Sequence, residues 1–181
     1  MIELDIITLA IIAVVVIVAI FLLVFFINKN KFIVINTKID IALLDIESLL
    51  EEKKKLLRSI CKNVDEIVEK ELFPGLEKLD VETDVFVLSD NLYDMEKELM
   101  REMNYRRAFV LDDDTANLVS SLENISIQCS ASEEYYNDKI AEYKKISRGL
   151  VSHIAKHFFG GNHSKLFEHK DDEVFEILKD K

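Results

Sequence analysis

All four histidines of the chain fall after Val151, and two of them, His153 and His157, are separated by three residues. On a helix that spacing puts both imidazoles on one face, which is one way to begin a zinc site. A complete site needs further ligands and outer partners that hold the rings. His163 and His169 lie beyond Gly160-Gly161, so the spacing leaves their reach open. Helix-end histidines facing water, complementing the C-terminal dipole, are the preferred reading. Cys61 and Cys129 show no CxxC or zinc-ligand spacing and sit beside helical apolar positions, as small buried hydrophobes do. Structural thiols are expected. Asp112-Asp113-Asp114-Thr115 lacks the alternating ligands and closing Glu of a calcium loop; it reads as a turn and an N-cap. The chain carries no Gly-rich phosphate loop, G-x-S-x-G elbow or HExxH. No catalytic, cofactor-binding or metal-ligating residue is assigned, and a non-enzymatic protein is expected.

The most distinctive polar motif is Tyr135-Tyr136-Asn137-Asp138, with Tyr143 one turn and a half further on. Tyr136 can fill a helical seam while its hydroxyl reaches a polar neighbour. Asn137 can fix helix register through a buried hydrogen bond. Both roles are structural; a ligand site at these residues is the alternative.

Such residues need elements to hold them. From Ile6 to Ile27 no residue is charged, and nearly all are Ile, Leu, Val or Phe. At 1.5 Å per residue the run covers roughly 33 Å, against a hydrocarbon core of about 30 Å. A transmembrane helix is expected. A cleaved signal peptide fits less well: the preceding residues include Glu3 and Asp5, the run exceeds a signal core, and no small-residue cleavage site follows. Lys29, Lys31 and Lys38 follow the run and no Lys or Arg precedes it. The positive-inside rule then sets the N-terminus outside and the bulk of the chain in the cytoplasm.

Beyond the membrane, Ile39, Leu43, Ile46, Leu50, Leu57, Ile60, Val64 and Ile67 recur in steps of three and four, interrupted at Lys53. That period predicts a helix from Asn36 to Phe73, packed lengthwise on others and ended by Pro74-Gly75. Leu88, Leu92, Met95, Leu99 and Met103 predict a second helix from about Glu82 to Arg107, with Glu96, Glu98 and Arg101 facing water. The patch Val85-Phe86-Val87-Leu88 has strand-like composition but lacks a partner strand, so helix is preferred there. Leu118, Leu122, Ile125, Cys129, Ser132, Tyr136, Tyr143 and Leu150 predict a third helix reaching about Phe158, weakest at Gly149. Glu133-Glu134 reads as exposed helix surface. The tail around Val174, Phe175, Ile177 and Leu178 has room for a short fourth helix.

The totals agree with this layout. Four Gly and one Pro among 181 residues leave few turns, which favours long helices over a many-stranded sheet. A net charge of −11 disfavours nucleic acid as a partner. It also disfavours flat adsorption on anionic lipid, which leaves hydrophobic insertion.

The run Tyr135-Tyr136-Asn137-Asp138-Lys139-Ile140-Ala141-Glu142-Tyr143, followed by Leu150-Val151 through Ala155 and Phe158-Phe159-Gly160, resembles the C-terminal signature of LemA-family proteins. Leu118, Leu122 and Glu123 fit that family's preceding helix, and Ile39-Asp40 through Leu56-Leu57-Arg58 is similar to its first helix after the membrane. The chain departs from the pattern at Ser126, Glu133, Lys144 and Ser147-Arg148, and between Pro74 and Asp112. The resemblance implies a bacterial, single-pass, membrane-anchored antiparallel helical bundle without established enzymatic activity, acting as a scaffold or adaptor. The expected architecture is all-α: residues 1–28 as tail and anchor, 29–159 as a bundle of three main helices, and 160–181 as a C-terminal tail. Expected partners are the bilayer through residues 6–27 and a membrane-associated protein, a second copy included. A self-assembling membrane sensor or assembly subunit is the second reading. A zinc-dependent activity at the C-terminal histidines is the third.

Overall fold

The computed structural model describes residues 6–68, 72–80, 84–105, 113–161 and 163–168. They form four α-helices and one 3-10 turn, with no strand among the described residues: α1 Ile6–Val68, the turn Pro74–Asp80, α2 Val85–Tyr105, α3 Asp113–Ile146 and α4 Leu150–Phe159. The chain is all-helical. The strand-like patch at Val85 is the first turn of α2, where the Asp84 carboxylate accepts the Phe86 N–H at 3.2 Å and so caps the helix. His169, Asp112, the tail from Val174 to Leu178, and the expected second-helix limits Glu82 and Arg107 lie outside the described residues.

The α1 helix runs through what the sequence divides into an anchor and a first helix. Across the apolar run, side chains from Thr8 to Ile27 lie exposed on every side except at half-buried Phe25. The helix is long and apolar enough there to cross a membrane. After that segment one face turns inward: Phe32, Ile35, Ile39, Ala42, Ile46, Leu50, Leu57, Ile60 and Val64 are buried. Ile67, expected on that face, is 46% exposed, and α1 stops at Val68. The end comes before Pro74, not at it. The Asp65 carboxylate accepts the Leu72 N–H at 2.7 Å, which holds the chain after it has left the helix.

Contacts divide the chain into two compact units. The unit of Ala42–Asn137 and Leu166–Lys181 draws on the later part of α1, on α2 and on most of α3. Its apolar residues are Leu50, Leu57 and Ile60 from α1, Leu92, Leu99 and Met100 from α2, and Leu122 from α3, all fully buried. Each contributes about 1.5–3 kcal/mol relative to exposure. The unit of Met1–Ile41 and Asp138–Lys165 contains the early part of α1, the end of α3, and α4. Its core holds Phe32, Ile35, Ile140, Tyr143 and Ala155.

The expected third helix is two helices. Near Ile146 the Tyr143 carbonyl accepts both the Ser147 N–H at 3.1 Å and the Ser147 hydroxyl at 2.6 Å. Gly149 then turns to extended backbone (φ −85°, ψ 153°), and its carbonyl accepts the His153 N–H as α4 begins. A serine that back-bonds, followed by a glycine with little helix preference, is enough to break the run.

Candidate functional site

In the larger unit, polar residues occupy seam positions. Lys53 and Glu96 are 5% and 2% exposed, and Lys53 Nζ lies 2.5 Å from Glu96 Oε2. The other oxygen of Glu96 accepts the Ser126 hydroxyl at 2.5 Å. Two turns away, the Ser89 hydroxyl donates to Glu133, both buried. Each of α1, α2 and α3 thus contributes to one polar layer. Two sequence expectations are corrected here: Glu96 and Glu133 face inward, not to water. Lys53 is a paired member of the α1 seam and not an interruption of it. Desolvating such a pair costs several kcal/mol per ion, so the layer adds little net stability. A shifted register that separated Lys53 from Glu96 would leave a buried charge unpaired, at a cost of about 3–5 kcal/mol. The layer is sealed from solvent.

Tyr136 is buried in the same unit, its ring edge-on to Phe86 at 5.9 Å and to Phe167 at 5.3 Å. Asn137 makes two bonds to one residue: its Nδ2 donates to the Phe167 carbonyl at 2.9 Å, and its Oδ1 accepts the Phe167 N–H at 3.0 Å. Asn137 holds a non-helical segment in place, whereas the sequence suggested helix register. Tyr135 is exposed. Near the other end of the unit, Asn63 Nδ2 donates at 3.1 Å to the hydroxyl of buried Thr115.

The smaller unit holds the fourth motif residue. Tyr143 is buried, edge-on to Phe32 and His163 at 5.6 and 5.3 Å, and donates its hydroxyl to the Gly161 carbonyl at 2.7 Å. Burial raises its pKa. Asn36 on α1 donates to the Phe159 carbonyl at 2.8 Å, and its Oδ1 lies 3.1 Å from His163 Nε2, which is then the protonated nitrogen. A cation crosses each side: Lys29 over Phe159 and Lys156 over Tyr143. The same unit carries a groove of about 520 Å³ lined by Asn30, Lys31, Val34, Ile35, Lys38, Glu142, Lys145 and Ile146.

The remaining candidates do not converge. His153 and His157 are exposed, and among the described residues no three His, Cys, Asp or Glu side chains are grouped to hold an ion. Cys61 and Cys129 are buried and form no disulfide. The Cys61 thiol is pushed up to about 12 by burial, with Asp65 and Glu98 adding to the effect. Such a thiol is a poor nucleophile at neutral pH. Compared with family models, with curated proteins and with solved structures, the chain matches none.

Proposed function

We propose that this chain is a single-pass, membrane-anchored helical scaffold or adaptor of the LemA type, without catalytic activity, presenting an acidic antiparallel bundle to a membrane-associated protein. The observation that carries the reading is the change of character along α1. The helix is apolar and, apart from half-buried Phe25, exposed from Thr8 to Ile27, then continues unbroken with one face buried. Such a helix gives lipid one part of its surface and protein another. The antiparallel order is supported by two α2–α3 pairs, in which the earlier α2 residue, Ser89, meets the later α3 residue, Glu133, while Glu96 meets Ser126. Lys29 and Lys31 after the span support an outside N-terminus and a cytoplasmic bundle.

A second reading, self-assembly through α1, is favoured by one observation. Val34, Ile41 and Leu44 lie at heptad-like spacing on α1 and are more than half exposed. A photo-crosslinking residue in place of Ile41, in the full chain at native expression, separates the two readings. An adduct with one reproducible membrane protein supports the adaptor. An adduct at twice the chain's mass supports self-assembly, and no adduct at all excludes both.

A further inference from the structure

The α4 helix has two unlike sides. Ser152 and Ala155 are buried and Phe159 is half-buried, at three-four spacing. On the other side Ile154 and Phe158, four residues apart, are 38% and 68% exposed. A helix surface meant for water would be polar there. The depth of α4 follows from Phe159, whose ring lies 6.1 Å from Phe25. Phe25 belongs to the last turn of the apolar run, so Phe159 sits at the level where α1 leaves the hydrocarbon. Lys29, in the next turn of α1, stands 5.1 Å over the same ring. Phe158 is one Cα step, about 3.8 Å, from Phe159.

From this geometry we infer that Ile154 and Phe158 of α4 lie in the interfacial layer of the bilayer, making α4 a second, monotopic membrane contact beside the spanning segment. Phe158 is exposed next to Phe159, whose ring meets Phe25 of the apolar run, so one lipid surface would cover both. His157 lies edge-on to the Phe158 ring at 5.4 Å and Lys29 stands over the neighbouring Phe159 ring, polar groups of the kind that suit the headgroup level. The inference rests on the reading of Ile6–Ile27 as a membrane span. It adds that α4 is held against the membrane face and does not swing free of it.

The chain has no Trp, so single-Trp variants report one position each. Three are needed in the full chain: Phe158→Trp, Phe26→Trp in the span, and Tyr105→Trp at the 83% exposed end of α2. They are reconstituted in phosphatidylcholine vesicles, with or without bromine on acyl carbons near the headgroup. The Phe158→Trp emission should be blue-shifted and lose at least half its intensity to brominated lipid, as should Phe26→Trp, while Tyr105→Trp should not change. If Phe26→Trp is quenched and Phe158→Trp is not, the inference fails and the span stands. If neither is quenched, the span fails and takes the inference with it. Blue-shifted but unquenched emission at Phe158→Trp means that protein covers the residue, which also overturns the inference.

Discussion

Glu96 shows what a single side chain does in this molecule. It accepts from Ser126 and pairs with Lys53 where water does not reach. Glu96→Ala leaves the Lys53 ammonium buried without its partner, and unfolding in detergent micelles should then show a loss of about 3–5 kcal/mol. The triple change Lys53→Met, Glu96→Leu, Ser126→Ala removes the whole set. It should restore most of that loss while making the helical register less well defined, visible as broadened amide NMR signals. The sequence carried the signal for this layer in its spacing, since Lys53, Ser89, Glu96, Ser126 and Glu133 all fall in step with apolar seams. Residue type alone suggested surface, because Glu and Lys are rarely buried unpaired. Partner identity depends on three helices meeting, which periodicity within one helix does not encode. Cys61 gives a prediction in pH. Its thiol titrates near 9.0 when exposed and near 12 in the fold. Below about pH 9 folded and unfolded chains hold the proton alike. Above it the unfolded chain releases the proton first, so stability falls by up to about 1.4 kcal/mol per pH unit as pH rises towards 12. Denaturant midpoints at pH 8 and pH 10.5, in wild type and Cys61→Ser, should show a steeper decline in the wild type.

At the scale of elements, helix existence was legible and helix ends were not. The α2 stripe from Leu88 to Met103 is buried in full, because a three-four period has one geometric meaning on a helix. Ends are set by local bonds that composition does not display: Asp65 to Leu72 after α1, and the Ser147–Tyr143 back-bond after α3. Gly160 caps the C-terminal end of α4, and there is a steric reason for glycine there. A Cβ at Gly160 would stand 2.7 Å from the Tyr143 hydroxyl and 2.5 Å from the Lys156 carbonyl. Gly160→Ala should therefore loosen the segment after α4, at a cost of about 1–3 kcal/mol. Tyr143→Phe, which loses only the bond to Gly161, should cost about 1 kcal/mol; thermal unfolding of the two variants orders them. Asn137 serves the other unit in a similar way. Asn137→Asp keeps the acceptor but loses the donor to the Phe167 carbonyl, and hydrogen exchange should speed up at Phe167 while α3 stays protected.

For the whole molecule, the residues of the Tyr-Asn motif and Tyr143 fall in different units. Tyr136 and Asn137 pack in the larger one and Tyr143 in the smaller. In the larger unit, Ser126 and Glu133 of α3 pair with Glu96 and Ser89 of α2. Under the proposed anchoring, the side of the membrane these units occupy would be set by a few charges: Glu3 and Asp5 before the apolar run, Lys29 and Lys31 after it. Exchanging Glu3 and Asp5 for lysine should give mixed orientations while leaving the anchor in place.

The most direct measurement is labelling of a single introduced cysteine, Glu52→Cys, by a membrane-impermeant maleimide. Glu52 is exposed on α1, while Cys61 and Cys129 are buried, so the unmodified chain serves as the blank. An anchored chain with a cytoplasmic bundle should resist labelling in intact cells and react fully once the membrane is opened. Efficient labelling in intact cells would contradict the account and move its partner to the outer side.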